Sequence, residues 1–151
     1  MNISMEELKK LRAETGAGVM EAKKALEQHG SFEKAKGELI KLAGAKAEKK
    51  ADRIAKEGLI YSYIHTTGKV GSLVEINCET DFVAKTEDFK KLCHEICMQA
   101  CAMPFESVEE LVNQDYIRDG SKKVSDLIKE AVAKLGENIK VARASRFKIG
   151  Q

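Results

Sequence analysis

The stretch LIYSYIHTTGKVGSLVEINC, Leu59 to Cys78, decides the fold. LIYSYIH, Leu59 to His65, is dominated by β-branched and aromatic side chains that suit a pleated, half-buried surface. TTGK, Thr66 to Lys69, supplies turn residues, and VGSLVEINC, Val70 to Cys78, returns as a second strand. Side chains alternate across a strand, so Val70, Ser72, Val74, Ile76 and Cys78 share one face. Leu73 and Glu75 point the other way.

Beyond Cys78 the alternation breaks at Glu79-Thr80-Asp81, and a large aromatic, Phe82, follows at once. Aromatics are scarce here, five Phe and three Tyr in 151 residues. Thr80 or Asp81 can cap a turn through backbone N–H groups. On that reading Phe82 is a staple into the local core, and the competing reading leaves the ring exposed for a partner. Thr86, with Glu87 and Asp88 in the first turn, caps a helix running to about Ala102, and Pro104 ends it. Ser107 with Glu110 caps a further short helix. VSDLIKEAVAKLG, Val124 to Gly136, is an amphipathic helix closed by glycine. NIKVARASRFKI then alternates Ile139, Val141, Phe147 and Ile149 as a third strand for the hairpin.

Towards the N-terminus three short helices are predicted. Ser4 with Glu7 forms a capping box, and Leu8 and Leu11 give one apolar edge. TGAG, Thr15 to Gly18, breaks the pattern; Val19, Lys23 and Leu26 fit a second helix that HGS, His29 to Ser31, stops. Phe32, Ala35, Leu39, Ile40 and Ala43 recur at helical spacing. GAKAEKKADRIAKEG, Gly44 to Gly58, has good helix formers but little to bury, and reads as a semi-rigid helical linker with a solvated charged face. The expected architecture is α+β. A three-helix domain spans residues 1–44, a helical linker 45–57, and an α+β core with a small antiparallel three-stranded sheet 58–151.

Composition bounds the function. Hydrophobic residues at 43% and charged residues at 33% suit a globular protein with a modest core, for which help from a partner chain is plausible. A net charge of +2 is too balanced to argue for nucleic-acid binding. No apolar run reaches the roughly 18 residues of a membrane span, and MNISMEELKK does not resemble a targeting peptide. Cys78, Cys93, Cys97 and Cys101 follow no secreted disulfide framework, so a reduced, cytoplasmic protein is expected.

Several constellations have bland readings. Cys93 and Cys101 lie about 12 Å apart along a straight helix, so three thiols cannot meet one ion. Phe89, Leu92, Ile96 and Ala100 interleave with them as an apolar stripe, and His94 falls off it, expected exposed. TGAG lacks a preceding strand, and the third glycine of a dinucleotide fingerprint would fall at Glu21. Glu79 and Asp81 are weak evidence for a hard cation. Neither metal nor cofactor is expected, and no catalytic residue is assigned.

LRAETGAGVMEAKKAL, Leu11 to Leu26, and EINCETDFVAK, Glu75 to Lys85, resemble the signature segments of elongation factor Ts, the family that exchanges nucleotide on the translation GTPase elongation factor Tu. KLGENIKVARASRF, Lys134 to Phe147, is similar to its closing segment. The resemblance implies a ubiquitin-associated-type head docking on the GTPase through Leu11, Arg12, Thr15, Gly16, Gly18, Val19 and Met20. It implies that Thr80, Asp81, Phe82 and Val83 form the working tetrad, whose phenyl ring wedges beside the GTPase's magnesium site and displaces the ion. It implies no bond-making enzyme and no direct nucleic-acid contact. The stretch Pro104–Lys123 leaves no room for the duplicated core and coiled coil of longer members, so a homodimer is expected, through the Cys-rich helix or the last strand. Gln99, in ICMQACAMP, stands where the family often has histidine. Two other readings compete: a binding module without exchange activity that holds protein or RNA, and a thiol or metal protein built on the Cys93 helix.

Overall fold

The computed structural model describes residues 2–151. Helices α1 (Met5–Thr15), α2 (Val19–His29) and α3 (Phe32–Lys50) form the head. Gly16 and Gly30 end the first two in left-handed geometry, φ 72° and 68°, which glycine reaches without a Cβ clash. Ser4 caps α1 by accepting from Glu6 N–H, not through the reciprocal box expected with Glu7. Leu8, Leu11, Ala22, Ala25, Leu26, Ala35 and Leu39 make the head core. Val19 and Ile40, expected on the buried edges, are exposed, and Ala22, Ala25 and Ala35 are among the residues that fill the head core instead. Helix α3 carries the third head helix and the first part of the Ala/Lys-rich segment as one continuous element.

The second unit opens with β1 (Glu57–Ile64) and β2 (Val70–Cys78), followed by α4 (Asp81–Ala84) and α5 (Glu87–Ala102). Next come α6 (Val108–Asn113), a small hairpin of β3 (Asp115–Tyr116) and β4 (Asp119–Lys123), α7 (Val124–Leu135) and β5 (Lys140–Lys148). The sheet is antiparallel in the order β1-β2-β5, as the hairpin and the last alternating run predict. Ser72, Val74, Ile76 and Cys78 are buried on one face of β2 and pack on α5, while Leu73 is exposed. Thr86 and Ser107 cap α5 and α6 through the N–H groups of Phe89 and Glu110.

The third strand departs from simple alternation. Glu75 pairs Arg143 and Ile76 pairs Val141, so Ala142 bulges and the facing pattern changes partner. Val141, Ala144 and Arg146 turn inward, and Arg146 donates to the carbonyl of Cys101 at the end of α5. Phe147 and Ile149, expected on the inner face with Val141, are thereby exposed. Helix α5 is buried nearly all round, including Glu95 and Gln99. His94 is half-buried, not exposed, because its ring meets the edges of Tyr61 and Tyr63 at 5.9 and 5.7 Å. No described helix is long and apolar enough to cross a membrane.

Candidate functional site

The segment after β2 answers the question its sequence raises. Thr80 caps α4 by accepting from Val83 N–H at 3.3 Å. Ala84 is fully buried and Val83 half-buried, so the far end of this single turn is anchored in the core. Phe82 sits on the opposite side with 87% of its surface exposed. It is therefore no staple; among the described residues it is the most exposed large apolar side chain. Asp81 is exposed beside it and pairs with Lys85 at 2.7 Å, an i,i+4 contact that raises the Lys85 pKa.

Two residues distant in sequence hold the turn. Glu137 Oε1 accepts from the N–H groups of Glu79 and Thr80, at 3.1 and 3.0 Å, and its Oε2 accepts from Thr80 Oγ1 at 2.7 Å. In return Glu79 Oε1 accepts from Asn138 N–H at 2.8 Å and pairs with Arg53 at 3.6 Å. Asn138, buried, donates through Nδ2 to the carbonyls of Ala51 and Arg53 just past α3. No local sequence signal marks Glu137, since its partners lie 57 and 58 positions away. Glu79 and Asp81, the candidate cation ligands, are committed to different partners.

The seven head positions divide by burial. Leu11 and Thr15 are core, with Thr15 Oγ1 donating to the Leu11 carbonyl at 2.6 Å. Gly16 and Gly18 form the α1–α2 connection. Arg12, Val19 and Met20 lie on the surface around it.

The four cysteines are free and buried. Burial pushes the Cys93 thiol up to about 12, and Cys78 to about 11 with the Glu137 carboxylate adding to it. These are the opposite of activated thiols, which removes the basis for a thiol-chemistry reading. Gln99 is fully buried and its amide is consumed internally. Nε2 donates to Gln114 Oε1 and the Asp115 carbonyl, and Oε1 accepts from Ile117 N–H. It pins the β3–β4 hairpin to α5 and is not presented to a partner.

Comparison with known proteins converges on one family. The family model described as Elongation factor TS matches residues 79–151, which include both the Phe82 turn and Glu137. Elongation factor Ts of Coprothermobacter proteolyticus is 44% identical over 197 aligned positions, covering 100% of each chain. The protein of that name from Thermotoga neapolitana is 42% identical, covering 100% of this chain and 99% of its own. That from Thermoanaerobacter sp. is 40% identical, at 99% and 96% coverage. Aligning 151 residues over 197 positions leaves about 46 positions of the first relative without a counterpart here.

Proposed function

The chain belongs to the elongation factor Ts family, and on that premise we propose that it is the guanine-nucleotide exchange factor for elongation factor Tu. The observation that carries the reading is Phe82, a phenyl ring held out of its own protein on an anchored turn. An exposed ring gains nothing from its own fold, but it gains on entering a partner's apolar interior. We assign Phe82 as the wedge that disturbs the magnesium and phosphate site of the GTPase. Asp81 flanks the ring, and Thr80 and Val83 shape the turn. The head supplies holding contacts through Arg12, Val19 and Met20, with Leu11, Thr15, Gly16 and Gly18 setting the shape of that surface.

Exchange makes and breaks no covalent bond. It requires a factor that prefers the nucleotide-free GTPase to its GDP complex. A thousandfold acceleration of release needs about 4 kcal/mol of differential interaction. Burying one phenylalanine yields roughly 1.5–3 kcal/mol. The ring therefore supplies a large share of the difference but not all of it, and the wider footprint supplies the remainder and the affinity. Linkage is reciprocal: bound GDP weakens the factor as the factor weakens GDP. Excess GTP then completes the cycle by mass action.

We further propose that the working form is a homodimer. The outer face of the sheet supports this, because Ile60, Ile64, Leu73, Phe147 and Ile149 are uncovered there. The cysteines of α5 are enclosed in the core and offer no comparable surface.

The exchange reading is tested by stopped-flow release of fluorescent GDP from elongation factor Tu. Phe82→Ala is expected to slow release about tenfold to a hundredfold, the equivalent of roughly 1.5–3 kcal/mol, while a pulldown still recovers the complex. Equal rates for wild type and variant would remove Phe82 from the mechanism. A wild-type protein that binds without accelerating release would leave a docking module.

A further inference from the structure

We propose that Glu137 is the positioning residue for exchange: its carboxylate fixes the direction in which the Phe82 ring is presented. The proposal rests on the wedge reading of Phe82 and adds the residue through which the ring is aimed.

Geometry carries it. Phe82, almost wholly exposed, has little packing of its own, so the pose of its backbone sets the pose of the ring. Val83 and Ala84 fix the C-terminal end of the turn in the core. The N-terminal end depends on Thr80, whose carbonyl accepts from Cys78 Sγ at 3.2 Å and whose N–H and hydroxyl are both held by one distant side chain. Glu137 receives both the Thr80 N–H and the Thr80 hydroxyl hydrogen. With its hydrogen committed to Oε2, the Thr80 oxygen turns a lone pair to Val83 N–H. The orientation of the cap is thus dictated by Glu137. Gly136 makes this reach feasible, because its left-handed φ of 78° turns the chain off α7 and across the end of β2. The adjacent Asn138 extends the same clamp to Glu79 and to the carbonyls of Ala51 and Arg53. The presenting turn is therefore tied to the exit of the head's last helix.

A misplacement of about 1 Å in a positioned group can cost on the order of a hundredfold in rate. Glu137 is half-buried and water can reach the groups it serves, so removing it is expected to loosen the turn without unfolding the protein.

The test is a double-mutant cycle read by stopped-flow GDP release at increasing factor concentration. Glu137→Ala is expected to lower the maximal release rate about tenfold to a hundredfold. Its half-saturating concentration should change less than about twofold, since the holding surfaces are intact. Glu137→Gln should fall between wild type and Glu137→Ala, because its amide oxygen still accepts from both N–H groups while its amide nitrogen cannot accept the Thr80 hydroxyl hydrogen. Combining Glu137→Ala with Phe82→Ala should be no slower than Phe82→Ala alone, a non-additivity that marks action through the ring. If Glu137→Ala is unfolded at the assay temperature by circular dichroism, Glu137→Asp takes its place, since its shorter reach misses Thr80. A wild-type maximal rate in a folded Glu137 variant, with Phe82→Ala impaired, would overturn the positioning role and leave the wedge standing. Additive losses would overturn it too, by showing that Glu137 acts independently of the ring. An unimpaired Phe82→Ala would sink the wedge itself, and the positioning role with it.

Discussion

Cys93 shows how one buried group converts into a property of the whole chain. Its thiol stays protonated in the fold up to about pH 12, and that of Cys78 up to about 11, whereas an unfolded thiol ionises near 8.5. Both folded values are raised, so their contribution to stability is fully present below about pH 8.5. It is lost as pH climbs through the folded values. Urea unfolding is thus expected to show falling stability above about pH 9, with a shallower fall in Cys93→Ala. A thiol reagent at pH 8 should leave all four cysteines unmodified until denaturant is added; labelling of the native protein would contradict their burial. At this scale the sequence was informative where chemistry is local. The caps Thr80, Thr86 and Ser107 follow from residue type and spacing, and so does the scarcity of aromatics that singles out Phe82. Whether that ring faced inward depended on the packing of Val83 and Ala84 into the core and on the hold of Glu137 on Thr80, contacts that no window of neighbouring residues contains.

Among the elements, the hairpin, α5 and α7 are legible because hydrophobic period and capping agree. The β5 face is not. A one-residue bulge at Ala142 reverses which side chains look outward, and nothing in KVARASRFK announces it. The β3–β4 hairpin also escapes periodicity, being held to α5 by Gln99, Tyr116 and Glu95 instead of by an apolar stripe. The bulge has a consequence for assembly. It adds Phe147, 77% exposed, to an outer face that already shows Ile60, Ile64 and Leu73. A second copy covering this face would remove the largest apolar surface of the sheet from water. Phe147→Glu is therefore expected to convert the proposed homodimer into a 16.7 kDa monomer in sedimentation equilibrium. Its unfolding free energy, extrapolated to infinite dilution, should move less than about 0.5 kcal/mol, since the ring makes few contacts within the chain. A wild-type monomer, or a variant that remains dimeric, would place the interface elsewhere or abolish it.

For the whole molecule, the proposed exchange depends on two docking surfaces kept at a set distance. The head and the second unit are joined where α3 packs on α7, and Lys122 of β4 adds a polar link between the end of α1 and α7. Its Nζ donates to the carbonyl of Glu14 at 2.9 Å and to Glu130 at 2.8 Å, with side-chain exposures of 14% and 17% across the ion pair. Glu14 in turn pairs with Lys36 at 2.9 Å. Burial raises the Glu130 pKa and Lys122 opposes it, so removing the cation leaves a desolvated carboxylate. Lys122→Met should cost about 2–3 kcal/mol of stability, and pairing it with Glu130→Leu should recover most of the loss, because an apolar pair of similar volume carries no uncompensated charge. The kinetic signature differs from that of Phe82 or Glu137. Loosening the head lowers the effective concentration of one surface once the other has docked. Lys122→Met is therefore expected to raise the half-saturating concentration for GDP release about tenfold while the maximal rate stays within about twofold of wild type. A lowered maximal rate with unchanged half-saturation would show that Lys122 bears on the wedge and that the head holds its place without it.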